Sequence, residues 1–182
     1  HFLGPGDLPR QLDGVMLEEH VSEALIRLNP VIAERPERVE EVLPRLRATL
    51  LAVANDGLAT ANEEMTAWLC GRKTTKFLDT EDYVPVRLID FDEPRSNRLV
   101  VSTEVTFAPG HEERRYDLVL FVNGFPLVVG ETKTPISKHT SWLNGANDIY
   151  DGYEVKTPAF FVPNVLSFAT EGKDLRYGAV RQ

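Results

Sequence analysis

A chain of 182 residues, 42% apolar and 26% charged, has the make-up of one soluble globular domain and not of a disordered tail, a collagen-like repeat or a coiled coil. Its apolar runs, such as 118–122, are strand-sized and far short of the ~20 residues a membrane helix needs, and a single cysteine, Cys70, excludes an intramolecular disulfide framework or a cysteine-rich zinc site. Twenty Lys plus Arg against 28 Asp plus Glu give a net charge of −8, which argues against a free-standing electrostatic DNA binder but leaves room for a nucleic-acid site inside a larger assembly.

Residues 1–13 are punctuated by proline and glycine and read as a loop or leader ahead of one domain, 14–182. They carry no basic, apolar secretion signal, which points to a cytoplasmic setting. Val15, Leu17, Val21, Ala24, Leu25 and Leu28 recur at helical spacing up to Asn29-Pro30. A second helix starts at Pro36, with Glu37, Glu40 and Glu41 in its electropositive first turn and Val39, Val42, Leu43, Leu46, Leu50 and Val53 on one face. Pro44 is expected to kink or split that helix, and Asn55-Asp56-Gly57 to end it. Residues 60–70 form a third helix, so 14–75 is mainly helical.

From 76 to 182 the pattern is that of a sheet with a crossover helix. Strands are expected over 84–89 and 99–107, and over 116–122 and 126–133 on either side of Asn123-Gly124, the strongest short hairpin signal. Both hairpin runs are apolar on both faces, as in central strands covered on two sides. Ser137 is placed to cap a helix carrying Trp142, Ala146, Ile149 and Tyr153. Short strands follow over 160–162 and 165–169, with an edge strand or turn over 177–180. The fold class is α/β or α+β: a mixed central sheet flanked by helices and preceded by a helical segment.

Charges rarely enter sheet cores without a partner or a task. Asp117 lies just inside an apolar strand, and Glu131 and Lys133 occupy alternate positions at the end of its hairpin partner, so both leave one face. If Asp117 stands opposite Glu131, the three converge. Two adjacent carboxylates ask for a cation between them, and hard oxygen ligands favour Mg²⁺. An ammonium beside such a metal can orient a water and offset the charge that builds up on a phosphoryl group. The plainer alternative is a set of rim salt bridges to Arg114, Arg115 or Lys133.

Tyr116-Asp117 followed by Glu131-Thr132-Lys133 resembles the PD-(D/E)xK nuclease motif, with Tyr116 in place of the motif proline. The segments 27–30, 87–91, 97–101, 114–124 and 126–129 are similar to the N-terminal nuclease domain of the restriction (R, motor) subunit of type I restriction–modification enzymes. That resemblance implies a PD-(D/E)xK endonuclease-like fold and a Mg²⁺-dependent DNA endonuclease acting with methyltransferase and specificity subunits. It also implies that this chain is a fragment of a longer one, whose ATP-driven motor is absent, since no Walker-type loop occurs here. Asp117 and Glu131 would hold the metal with the Thr132 carbonyl as a further ligand, and Lys133 would position or polarise the attacking water. Glu19 matches a family glutamate near the metal site. Tyr153 matches the tyrosine of a following helix, but Ile149 stands where the family carries glutamine, so that role is lost or passes to Asp148. Lys138, Arg72 and Lys73 are candidate DNA contacts. The rivals are a docking or regulatory module that keeps the nuclease fold, and a DNA-repair nuclease of the same fold.

Register decides the matter. A strict two-residue turn would pair Val122 with Phe125 and put Asp117 opposite Gly130, on the wrong face from Glu131. Catalysis therefore requires an odd shift, expected either as a three-residue loop pairing Val122 with Pro126 or as a bulge near Gly130.

Overall fold

The computed structural model describes residues 1–136 and 141–180. Asn123 and Gly124 both take positive φ, 48° and 89°, and close a tight turn between β5 (Arg114–Val122) and β6 (Phe125–Thr132). Around this hairpin lies a six-stranded sheet, to which β1 (Phe2–Leu3), β4 (Leu99–Phe107), β7 (Leu166–Thr170) and β8 (Leu175–Gly178) contribute, in the order β1-β4-β5-β6-β7-β8. The β1–β4 and β6–β7 pairs are parallel and the others antiparallel. The parallel step from β6 to β7 demands a crossover. It is supplied by α6 (Trp142–Asn147), a π-helical turn (Asp148–Tyr153), α7 (Glu154–Lys156) and α8 (Pro158–Phe161). A two-stranded ribbon of β2 (Thr74–Thr75) and β3 (Val84–Pro85) lies apart from this sheet.

The N-terminal helices are α1 (Glu18–Leu28), α2 (Pro30–Ala33), α3 (Val39–Leu51), α4 (Val53–Asp56) and α5 (Leu58–Leu69), with α1 packed on α3 and α3 on α5. Their inner faces join the sheet in one core in which Leu17, Leu25, Leu46, Met65, Phe121 and Phe125 are fully buried. Each such side chain contributes about 1.5–3 kcal/mol. The chain entering α1 docks on the hairpin tip, where Leu17 N–H donates to Gly124 O at 2.9 Å. A Cβ on Gly124 would lie 2.5 Å from Leu17 O, so the tip requires glycine for closeness as well as for φ.

Four local expectations are corrected. Residues 1–13 are not all loop, since Phe2 and Leu3 add a parallel edge strand to β4. Pro44 does not split its helix; it lies on the exposed side of α3 while Val42, Leu43 and Leu46 anchor the other side. The strand over 84–89 shrinks to Val84–Pro85, because Asn29 takes over the backbone of Arg87: its Oδ1 accepts from Arg87 N at 2.8 Å and its Nδ2 donates to Arg87 O at 2.9 Å. Residues 160–162 are not a strand, since Pro158 starts the short helix α8 and both Phe160 and Phe161 are buried. Ser137 lies outside the described residues, and α6 is capped by Ser141, whose Oγ accepts from Leu143 N. Among the described residues no helix is long and apolar enough to cross a membrane.

Candidate active site

The hairpin meets the odd-register requirement by a route that neither expectation named. The turn is strict, with Val122 opposite Phe125 and Phe121 opposite Pro126. The ladder then resumes at Leu120↔Val128, leaving Leu127 as an unpaired extra residue, and continues through Val119↔Val129 and Leu118↔Gly130. One further step puts Asp117 opposite Glu131. The bulge is therefore at Leu127, and its carbonyl is taken by Val165 N at 2.8 Å. Gly130 serves a different need: a Cβ there would lie 2.2 Å from Phe168 Cζ, so the glycine makes room for that ring.

Asp117 Oδ2 accepts two hydrogen bonds from Thr132, from its N–H and its Oγ1, both at 2.8 Å. Thr132 thus acts on Asp117 as a donor clamp through its N–H and hydroxyl, a role separate from the metal ligation by its carbonyl that the resemblance implied. On the other side of Asp117 the β4–β5 ladder runs Thr103↔Leu118 then Val105↔Tyr116, stepping over Glu104, which adopts φ 53°. Such a conformation is costly for a non-glycine residue and collects near functional sites. Glu104 pairs with Arg115 at 3.3 Å.

Glu131 is 4% exposed. Its Oε1 accepts from Lys133 Nζ at 2.8 Å and its Oε2 from the Tyr153 hydroxyl at 2.9 Å. Burial pushes its pKa up and Asp117 adds to the rise, while the bonds from Lys133 and Tyr153 pull against it. Lys133 Nζ also donates to Asp148 Oδ2 at 2.5 Å. Burial alone would lower the lysine pKa, but the bonds to Asp148 and Glu131 outweigh it and leave the ammonium above its ordinary value. The Tyr153 phenol is pushed up by burial and by the negative charge of Glu131, Asp117 and Asp148, so it stays a donor.

Tyr116, just before Asp117, is a fully buried core residue. Its ring stacks on Phe160 at 4.4 Å and meets Tyr153 edge-on at 5.1 Å, and its hydroxyl donates to Thr157 Oγ1 at 2.9 Å. It thereby ties the active strand to the segment that carries Tyr153. Gly145 on α6 is a site residue that the sequence reading passed over. A Cβ there would sit 3.2 Å from both Glu131 Cγ and Ala169 Cβ, so the glycine lets α6 close over the carboxylate. An isolated glycine within a helical pattern was the available signal.

The structure thus brings together Asp117, Glu131, Thr132, Lys133, Asp148 and Tyr153. Glu19 is exposed on α1, and among the described residues no hydrogen bond or ion pair links it to this group. Arg72 and Lys73 lie between α5 and β2, with Lys73 paired to Glu64 at 2.6 Å. Lys138 lies outside the described residues. Among the described residues no cluster of three or more His, Cys, Asp or Glu side chains is arranged to hold a metal. Mg²⁺ asks for less, since it commonly takes one or two carboxylates and keeps several waters. Asp117 and Glu131 supply that hard-oxygen pair, and the carboxylates of Asp117, Glu131 and Asp148 outnumber the one ammonium among them. The residues present fit a divalent cation.

Comparison with known proteins bears on the same segments. The chain is 27% identical over 172 residues to the type I restriction enzyme HindI endonuclease subunit of Haemophilus influenzae, an alignment covering 93% of this chain and 16% of that protein. It is 29% identical over 117 residues to a Methanocaldococcus jannaschii protein named "Putative type I restriction enzyme MjaIXP endonuclease subunit", covering 60% of this chain and 10% of that one. It therefore spans only a small part of the length of these relatives. The family model for the type I restriction enzyme R protein N terminus matches residues 3–182, and the chain belongs to that family.

Proposed function

We propose that this chain is the nuclease domain of a type I restriction R subunit, hydrolysing DNA phosphodiester bonds at Asp117, Glu131 and Lys133 within a complex that includes methyltransferase and specificity subunits. The observation that carries the reading is the Leu127 bulge, which turns Asp117 to the side of Glu131 and Lys133 in a hairpin whose turn alone would have separated them. Asp117 and Glu131 would hold Mg²⁺, which when bound acidifies a water and polarises a phosphoryl oxygen.

The chain's own residues prepare the rest. Thr132 fixes the rotamer of Asp117 through two donors. Tyr153 and Lys133 satisfy the two oxygens of Glu131, which burial would otherwise make expensive to ionise. Lys133, donating to two carboxylates, is an ammonium, and its charge would offset the negative charge that grows on a pentacoordinate phosphoryl group. The test is Glu131→Ala in the full-length subunit assembled into its complex. DNA cleavage should be lost while ATP hydrolysis continues. Equal loss of ATP hydrolysis would make Glu131 a structural residue and overturn the reading.

A further inference from the structure

The helix that crosses from β6 to β7 changes type at the site. It is α-helical from Trp142 to Asn147 and π-helical from Asp148 to Tyr153, with Glu154 N–H bonded to Ile149 O five residues back. Two side chains of that π turn reach the active strand, and they are its ends: Asp148 to Lys133 Nζ and Tyr153 to Glu131 Oε2. On an α-helix residues five apart point about 140° away from each other, at 3.6 residues per turn. A π turn, closed by i→i+5 bonds, brings them back onto one face. The residue an α-helix would have aligned with Tyr153 is Ile149, an apolar side chain that is instead 2% exposed in the core. We infer that the π turn is a register device that recruits Asp148 as the second anchor of the Lys133 ammonium, making Asp148 a positioning residue of the active site.

Among the described residues the ammonium otherwise has one ion-pair partner, Glu131, two residues back in the chain. With Asp148 on the opposite wall, Lys133 is held from two sides in one rotamer, and Glu131 shares the ammonium with a second carboxylate. Gly152 lies within the π turn, and a Cβ on it would meet nothing within 4 Å. Removing Gly152 would make Asp148 the fourth residue before Tyr153. An uninterrupted α-helix would then align the same two side chains.

The inference rests on the nuclease reading, and its test uses the full-length subunit in its assembled complex. Asp148→Ala should slow DNA cleavage several-fold, as loss of a half-exposed ion pair that positions the ammonium does. Asp148→Asn, which keeps an acceptor for the ammonium, should recover most of that loss, whereas Asp148→Leu, of similar size but without an acceptor, should not; a packing role would predict rescue by both. Excision of Gly152 should leave cleavage in place. Wild-type cleavage by Asp148→Ala, or loss of cleavage on excising Gly152 from a complex that still hydrolyses ATP, would overturn it. Glu131→Ala run alongside separates the two readings: if that variant still cleaves, it is the nuclease assignment that fails.

Discussion

Glu131 is a carboxylate kept in a place that penalises its charge. Its two hydrogen bonds, to an ammonium and a phenol, offset a desolvation cost of several kcal/mol and fix where its oxygens point. That orientation depends on a neighbour with no functional group. Gly145 presses α6 onto Glu131 Cγ and Ala169 Cβ, with 3.2 Å between each of them and any added Cβ. Gly145→Ala should leave stability almost unchanged, because a gain in helix propensity of up to about 1 kcal/mol offsets the crowding. It should still cut DNA cleavage several-fold by displacing Glu131. Thermal melts beside cleavage rates check this, and wild-type cleavage by the variant would show that the fit of α6 is not critical. At this scale Asp117, Glu131 and Lys133 were legible in the sequence, because charge inside an apolar hairpin is conspicuous. Thr132 as a clamp was not, since a threonine on a strand carries no signal of where its hydroxyl turns.

The hairpin shows what sequence patterns disclose about elements and what they conceal. The turn followed from Asn123-Gly124, and the need for an odd shift followed from strand parity. The position of the bulge did not: Leu127 is one apolar residue among several, and its extra place is set by Val165 reaching its carbonyl from the neighbouring strand segment. The strand over 84–89 failed for a similar reason, since Asn29, distant in sequence, supplies the partner a strand would have given. Asparagines recur in this role. Asn123, fully buried at the tip, donates to Leu88 O and Asn97 Oδ1 at 2.8 Å each and accepts from Arg98 N at 2.8 Å and Arg27 at 3.2 Å. Asn97 in turn holds the 90–97 loop through Asp90 and Pro94. Much of the family resemblance outside the active strand therefore marks scaffold. Asn123→Ala strands several buried polar groups and forces alanine into φ 48°. We expect a loss of about 2–4 kcal/mol, read as a lower urea midpoint. An unchanged midpoint would mean that the network contributes nothing net.

Charge across the whole molecule bears on how it would meet the proposed DNA substrate. Nothing in the sequence marks which cations are paired, and the structure shows several of them engaged. Arg47 pairs with Glu18, Lys73 with Glu64, Arg98 with Glu23, Arg114 with Glu112 and Arg115 with Glu104. Each of these exposed pairs is worth about 0–1 kcal/mol and can be exchanged for a phosphate, but every exchange exposes a carboxylate to the same strand. The site itself adds Asp117, Glu131 and Asp148, and the net charge is −8. Counterion release scales with the number of phosphates neutralised, so this chain by itself has little to release. Residues 1–182 alone should therefore bind duplex DNA at the weak end of the non-specific range, with a Kd above about 10 μM at physiological salt and a shallow dependence on salt. Strong binding would then have to come from the rest of the proposed complex, which would hold the strand against the cleft. Titration of labelled duplex into the isolated chain by anisotropy, over a range of salt, measures both quantities. Sub-micromolar binding with a steep salt slope would show a cationic DNA track on this domain and overturn the expectation.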